Sequence, residues 1–573
     1  MEYEWKILSL NEEQKQAQKC LSHELNISFV TAGLLVRRGI CSAEEARKYV
    51  HPSLEELHDP FLMKDMYDAV SRLEMAIREK EKILVYGDYD VDGTTAVALV
   101  YSLLRQLTVA IDFYIPDRYT EGYGISFRGI DYAKEQGCSL IIALDCGIKA
   151  IDKVEYASRK GIDFIICDHH TPGDELPKAV AVLNMKRKDC PYPYKELSGC
   201  GVGFKLMQAY AMRSGLDMKQ LWNLLPLLSM SIASDIVPLT GENRVLAYFG
   251  LKRINEQPSV GLKALMNVAG LDQNHVTISD LVFKIGPRIN ASGRMKSGAE
   301  AVRLLITDDE VEAAQRAKDI NLYNESRREC DIRTTEEALT QLESDPYNSS
   351  RYTTVVYSPT WHKGVVGIAA SRLTETFYRP TIVLTRGEGN VLTGSARSVG
   401  GFDIYCAIDS CRDLLTNFGG HQFAAGLSLR EDNLEKFKCR FEQYVSEHIR
   451  PDQLKPTLHV ETEIAFADID KPFFNILRHM EPFGPENPRP IFVTRRIINN
   501  RYTKRVGKNG EHLRLDITDR TAAISGIAFG KGDLALYLQN GNSADVCYEL
   551  EENTFNGLTS VQMMVLDIKP LNE

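Results

Sequence analysis

The chain has 573 residues, 44% hydrophobic and 25% charged, with a formal net charge of −10. That length exceeds one core and predicts about three to five domains of an ordinary globular protein. No apolar run nears the roughly 20 residues of a membrane span, and the acidic balance argues mildly against a nucleic-acid binder, unless basic patches are local.

The start, Met1 to Lys6, is acidic and polar, unlike a secretion signal. Twelve cysteines are scattered without a CxxC pair, which fits reduced thiols in a cytoplasmic protein better than a disulfide frame or zinc site. Residues 1–75 carry helical patterning: Asn11-Glu12-Glu13-Gln14 opens one helix, Ser42 caps another with acids behind it, and Lys64 to Lys80 is amphipathic.

From residue 82 apolar runs recur at Ile83–Tyr86, Ile111–Ile115, Leu140–Leu144, Phe164–Cys167 and Val180–Leu183, with helix-length segments between them. This alternation predicts an α/β fold with a doubly wound parallel sheet over 76–305. Its strand ends are chemically loaded. Asp88, Asp90 and Asp92 follow the first, Arg118 and Tyr123-Gly124 the second, Asp145-Cys146-Gly147 the third, and Asp168-His169-His170 the fourth. Ligands bind at the carboxyl ends of such strands. Carboxylates a few Å apart repel by about 4 kcal/mol per pair at an effective dielectric near 20, so a cation is expected among them; the plainer alternative is a solvated acidic turn or a helix N-cap. An apolar helix over 216–238 ends at Asp235, set among Ile, Ala and Val, where an unpaired carboxylate is costly. Asp235 is either a ligand or a helix-terminal residue bonded to backbone.

Residues 284–296 hold four bases and no acid. Arg288, Ser292 and Arg294 read as a phosphate cradle on a loop, or as a solvated basic loop. The charged, proline-free stretch Asp308–Ser344 predicts a long helix within a connector spanning 306–350, leaving a cleft between two halves. A second, smaller α/β domain is expected over 351–450, with His362, Ser395, Arg397 and the glycine-rich turn Gly419-Gly420-His421 as candidate substrate contacts. Residues 455–573 are strand-rich and predict a small barrel of five or six strands. Arg495, Arg496, Arg501, Lys504 and Arg505 fall in a stretch with no acid from 489 to 510, beside Phe492 and Tyr502. Bases among aromatics on a barrel suit single-stranded nucleic acid; a solvated basic hairpin is the alternative.

Carboxylates with one or two imidazoles favour Mn²⁺ or Mg²⁺, and this many acids can hold two ions that activate a water and stabilise an in-line displacement at phosphorus. No GxSxG elbow or recognised cysteine nucleophile is present. The acidic first turn disfavours a dinucleotide site.

Gly87-Asp88-Tyr89-Asp90-Val91-Asp92-Gly93, Asp145-Cys146-Gly147, Cys167-Asp168-His169-His170 and Ser234-Asp235 resemble the four motifs of the DHH phosphoesterase superfamily. Gly419-Gly420-His421 with Ala424-Ala425-Gly426 resembles its accessory DHHA1 domain. Trp361 to Ile368 and Pro482-Phe483-Gly484 to Asn487-Pro488 narrow the likeness to the single-strand-specific 5′→3′ DNA exonuclease branch, over nearly the whole chain, with an OB-like barrel at its end. The resemblance implies two Mn²⁺ or Mg²⁺ ions held by Asp90, Asp92, Asp145, His169 and Asp235, Asp145 bridging. It implies that Asp88 holds or orients the cluster and that His170 polarises the scissile phosphate. Arg118, Arg288, Arg294, Ser395, Arg397 and His421 are candidate phosphate grips. The substrate would be a single DNA strand threading between the two α/β domains. Expected partners are a RecQ-type helicase and single-strand-binding protein, with the protein a monomer that binds no membrane. Many superfamily members carry a histidine four residues before Asp90, where this chain has Tyr86. The rival readings are a phosphodiesterase for oligonucleotides or cyclic dinucleotides, which needs no basic barrel, and a non-catalytic scaffold, which predicts lost ligands.

Overall fold

The computed structural model describes residues 3–272, 275–387, 389–555 and 558–571. The chain forms two compact units. One comprises Ser42–Glu325 and Ile476–Arg489, the other Met1–Cys41, Ser326–Asn475 and Pro490–Glu573. The helical segment expected over 1–75 is therefore divided. Its start is not helical either: the strand Glu4–Ile7 pairs in parallel with Thr457–Val460. Among the described residues no helix is long and apolar enough to cross a membrane.

The first unit is built on a five-stranded, all-parallel sheet. Its strand order is Ile111–Tyr114, Lys82–Gly87, Cys138–Leu144, Asp163–Cys167, Ala181–Leu183. The central strands are apolar at nearly every position because both faces are covered. Val85, Ile142 and Ile165 join one core with the helix Val91–Leu104. Leu84, Tyr86, Ile141 and Ile166 join the other. The helix Val91–Leu104 is buried on almost every side, which is why it shows no amphipathic stripe. The chain reverses direction around the Lys82–Gly87 strand, the topological switch point at which doubly wound sheets open a crevice.

Two local expectations change. The apolar stretch 216–238 is two helices, Met218–Trp222 and Leu225–Ser234, the second carrying Pro226 in its first turn. The basic stretch 284–296 is no loop: a π-helical turn, Leu281–Ile285, runs into the α-helix Gly286–Met295.

The long helix is present as Glu310–Glu343. In the second unit a five-stranded sheet runs Leu415–His421, Ala424–Arg430, Val391–Arg397, Thr381–Arg386, Thr354–Tyr357, parallel only in its last pair. The remaining strands form a seven-stranded sheet. It curls into a ring because Ile491–Asn499 pairs both with Ala544–Phe555 and, at Ile498 and Asn499, with His512–Thr518, as a small closed barrel requires.

Candidate metal centre

Asp88 directly follows the strand Lys82–Gly87, and the helix Val91–Leu104 starts three residues after it. Asp90 is its N-cap, accepting the Gly93 amide at 3.0 Å. The turn closes only because residue 93 is glycine: a Cβ there would lie 2.4 Å from the Asp88 carbonyl oxygen. Asp88 is fully buried. Its Oδ1 accepts the Gly124 amide at 3.1 Å, and its Oδ2 has no partner. Asp92 lies in the first turn of the helix and faces the start of another helix, Gly199–Ser214. It accepts the Gly199 and Cys200 amides at 2.7 and 2.8 Å and the Ser231 hydroxyl at 2.7 Å. A helix N-terminus is a favourable seat for a carboxylate.

Asp145 leaves its strand with φ at 58°, a left-handed turn that directs its carboxylate back across the strand ends. Its Oδ1 is buried and makes no hydrogen bond. Nε2 of His169 lies 3.3 Å from that oxygen, 3.5 Å from Oδ2 of Asp235 and 3.8 Å from Oδ2 of Asp92. Both ring nitrogens of His169 are buried without a hydrogen-bond partner. Asp235 caps the C-terminus of Leu225–Ser234, its amide bonded to the Ser231 carbonyl. Its amide is thus the backbone-bonded group of a helix terminus, while its carboxylate stands 3.5 Å from Nε2 of His169. Two sets of converging donors result, Asp145-His169-His170 and Asp92-His169-Asp235.

Electrostatics tell the same story. Burial, then Asp90, pushes the Asp88 carboxyl up to about 8. Burial, then Asp92 and Asp90, pushes Asp235 up to about 9. Asp145 is driven well above the carboxylate range by burial and by Asp92, Asp90 and Asp235, and Asp90 is raised by burial and by Asp92. Burial lowers His169, which favours the neutral imidazole that ligates metals. Buried polar atoms without partners are rare and call for an explanation. Oxygen and imidazole donors around mutually repelling carboxylates fit hard divalent cations.

Asp168, which the sequence marks only as part of the loaded strand end, holds the site from behind. It accepts the Ile148 amide through Oδ2 at 2.9 Å, and the His170 amide and Nδ1 through Oδ1 at 3.0 and 2.8 Å. Burial alone would raise its carboxyl; the His170 bonds and charge outweigh that and hold it below its ordinary value. His170, though penalised by burial, is raised by the same partner. Nε2 of His170 is 3.2 Å from the Tyr123 hydroxyl, which donates to the Asp145 carbonyl at 3.0 Å. The sequence placed Tyr123 at a strand end without a role. Tyr86 is fully buried on the other face of the sheet. Its hydroxyl donates to the Gly124 carbonyl at 2.9 Å and accepts the Ser126 amide at 3.2 Å. It thus braces the loop whose Gly124 amide holds Asp88.

Of the candidate substrate contacts in this unit, Arg118 stays near the acidic turn, its guanidinium 4.8 Å over the Tyr89 ring and its charge acting on Asp88. Arg294 acts on the same Tyr89. The other two members of the expected phosphate cradle have partners within the fold. Arg288 donates to Asn321 Oδ1 at 3.0 Å and to the Lys284 carbonyl at 2.6 Å. Ser292 is fully buried and donates to the Ile289 carbonyl at 2.6 Å, as a hydroxyl inside a helix commonly does.

In the second unit, strand register gathers residues that the sequence separates. Arg397 faces Ala424, which faces His421; Ser395 faces Gly426, which faces Gly419. Successive odd positions share a face, so Ser395, Arg397, Gly419 and His421 stand on one platform. Gly419, Gly420 and His421 belong to a strand; the turn itself is Gln422-Phe423. Arg397 donates to the Ser395 hydroxyl at 2.7 Å and the Ala396 carbonyl at 2.8 Å, and burial pushes its guanidinium down. His362 accepts the Gly364 amide through Nδ1 at 3.0 Å.

Part of the barrel's basic stretch is paired with acids. Arg495 is paired with Glu463 at 3.1 Å and Asp545 at 2.7 Å, acids brought in by neighbouring strands. Arg505 meets Asp533 at 3.2 Å. Phe492 lies in the core. Arg496, Arg501, Lys504 and Tyr502 remain exposed.

Family models match three segments: "DHH family, N-terminal domain" over residues 82–231, "DHHA1 domain" over 351–447 and "RecJ OB domain" over 460–567. The chain is 36% identical over 551 residues to the single-stranded-DNA-specific exonuclease RecJ of Bacillus subtilis, covering 96% of this chain and 69% of that protein. It is 35% identical over 559 residues to the same-named protein of Escherichia coli, covering 94% and 95%. Among solved structures it resembles RecJ of Thermus thermophilus in complex with Mn²⁺, with a TM-score of 0.84 and 28% identity over all of this chain and 80% of that one. The Mg²⁺ complex gives 0.78 and 27%, over 100% and 79%.

Proposed function

This chain belongs to the RecJ family, and from that premise we propose that it removes mononucleotides from the 5′ end of single-stranded DNA, moving 5′→3′. It is a single-stranded-DNA-specific exonuclease that depends on Mn²⁺ or Mg²⁺. The observation that carries the chemistry is the set of buried, partnerless donor atoms on Asp88, Asp145 and His169, in a chain whose DHH, DHHA1 and OB segments are all present.

Asp88, Asp90, Asp92, Asp145, His169 and Asp235 would hold the ions. When bound, divalent cations there would supply a nucleophilic water at neutral pH and neutralise charge at the phosphorus. The residues do the rest. Asp168 fixes the His170 ring through Nδ1, which leaves Nε2 to face Tyr123 and a phosphate oxygen; a charged imidazole there favours the charge that develops in the transition state. Asp145, whose buried Oδ1 faces His169 at 3.3 Å, would be the carboxylate shared by the ions. Arg118 and Arg294 would grip phosphates near the acidic turn. The Ser395, Arg397, His421 platform offers a cation that hydrogen-bonds to the neutral Ser395 hydroxyl and Ala396 carbonyl. On the barrel, Arg496, Arg501 and Lys504, with Tyr502, would track the backbone and stack a base.

The same reading places the protein in the cytoplasm as a monomer, with a RecQ-type helicase and single-strand-binding protein as partners, on the strength of the family alone. The test is Mn²⁺-dependent release of label from single strands tagged at either end, beside a blunt duplex and an Asp145→Ala variant. Prompt release of the 5′ label as mononucleotide, lost in the variant and on duplex, is expected. Hydrolysis confined to dinucleotides would overturn it.

A further inference from the structure

The motif Pro482-Phe483-Gly484 to Asn487-Pro488 has no role in the site as described. It lies in Ile476–Arg489, a segment that packs with Ser42–Glu325 although its sequence neighbours on both sides belong to the other unit. The segment folds into a strap. Asn487 is buried, and its amide donates to the Met480 and Pro482 carbonyls at 3.0 and 2.8 Å. Gly484 and Asn487 exchange backbone bonds at 2.9 and 3.0 Å. Tyr49 donates to the Met480 carbonyl at 3.2 Å and to Asn487 Oδ1 at 2.8 Å. Arg244, stacked 3.8 Å over the Tyr49 ring, donates to the His479 and Glu481 carbonyls at 3.0 and 3.1 Å.

What the strap touches is the turn that follows Asp235. The Leu239 amide donates to the Pro485 carbonyl at 2.8 Å. Gly484 lies so near that a Cβ would come within 2.4 Å of Leu239 Cδ1. Between Asp235 and Leu239 stand only three residues. The first, Ile236, holds φ at 58° while its side chain is exposed. A β-branched residue rarely adopts that conformation, and it persists only where the surroundings over-determine it. One side is fixed by the helix Leu225–Ser234. On the other, Pro238 is held through its carbonyl by Asn243 at 3.0 Å and Tyr194 at 3.2 Å, and Leu239 is held by the strap.

We infer that the strap Ile476–Arg489 is a positioning element for the metal ligand Asp235, acting through the Pro485–Leu239 bond and the Gly484 contact. The inference rests on the metal centre proposed above. Without the strap the strained turn relaxes at Ile236 and Asp235 turns away from His169. Residues that orient ligands in this way typically change metal affinity ten- to a hundredfold when altered.

The experiment uses the full-length protein and two variants, Gly484→Val and Asn487→Ala. Mn²⁺ affinity is measured by calorimetric titration, beside thermal melting, single-strand affinity and hydrolysis at limiting and saturating Mn²⁺. Both variants should bind Mn²⁺ about ten- to a hundredfold more weakly, with single-strand affinity unchanged and hydrolysis recovered at saturating metal. Wild-type Mn²⁺ affinity in the variants, even with a lowered melting temperature, would overturn the inference and leave the strap a latch. If Gly484→Val does not fold, Asn487→Ala decides. If the unaltered protein binds no Mn²⁺, the metal centre itself fails and the inference with it.

Discussion

Nε2 of His169 lies 3.3 Å from Oδ1 of Asp145, and neither atom makes a hydrogen bond. Both are buried, and facing donor atoms without hydrogen-bond partners fit a divalent cation between them. Asp145→Ala and His169→Ala should each abolish detectable Mn²⁺ binding in calorimetry and lower nucleotide release more than about a hundredfold, beyond the range of residues that only orient ligands. Single-strand binding should survive. A variant that keeps wild-type turnover would remove that residue from the centre.

The raised carboxyls make the metal-free protein sensitive to pH. Asp88 and Asp235 sit at about 8 and about 9 in the fold, against about 3.9 when unfolded. The folded state therefore binds more protons than the unfolded one between those limits, so this contribution is fully present below about pH 4 and is lost as pH rises through 8 to 9. With chelator, the melting temperature should fall between pH 6 and pH 8.5. Mn²⁺ at one fixed concentration, a hundredfold above its Kd at pH 6, should restore about 2.7 kcal/mol there, with a larger rise at pH 8.5, where proton competition is weaker and the Kd lower. Equal rises at both pH values would mean the carboxylates are not the metal ligands.

Tyr86 stands four residues before Asp90, where the superfamily resemblance leads to an expectation of histidine, and its hydroxyl bonds Gly124 and Ser126. Tyr86→Phe leaves a buried carbonyl and amide without that partner, a cost of about 1–3 kcal/mol, readable in urea unfolding. Because Gly124 also holds Asp88, Mn²⁺ affinity should fall in parallel. Unchanged stability would show that Tyr86 does not brace this loop.

Arg397 and Arg495 should behave oppositely. Arg397 bonds the Ser395 hydroxyl and the Ala396 carbonyl. Arg397→Ala should weaken single-strand affinity and reduce its salt slope by about one. Arg495 is tied to Glu463 and Asp545. Arg495→Ala should destabilise the barrel, leaving Asp545 with the Arg496 amide but without the guanidinium, and change the salt slope little. Filter binding across a salt series, with melting curves, separates the two; a reduced slope only for Arg495→Ala would reverse the assignment.

The convergence of carboxylates and imidazoles was legible in the sequence because a parallel sheet makes strand ends predictable. An apolar run followed by Asp88, Asp145 or Asp168-His169-His170 can only deliver those groups to one edge. The α/β alternation and the final barrel were legible for the same reason, since burial on both faces or on alternate positions leaves a periodic mark. Other features depend on partners distant in sequence, and only the tertiary structure decided them. Arg495 looks free in a stretch without acids, and is paired because the neighbouring strands bring Glu463 and Asp545 beside it. Ser292 looks like a loop hydroxyl, and is buried because its segment is a helix. Arg397 and His421 are well separated in the chain and stand in one row because strand register places Ala424 between them. Local pattern specifies the elements and what their ends carry; which side chain is left to meet a ligand is set by packing, which no local pattern records.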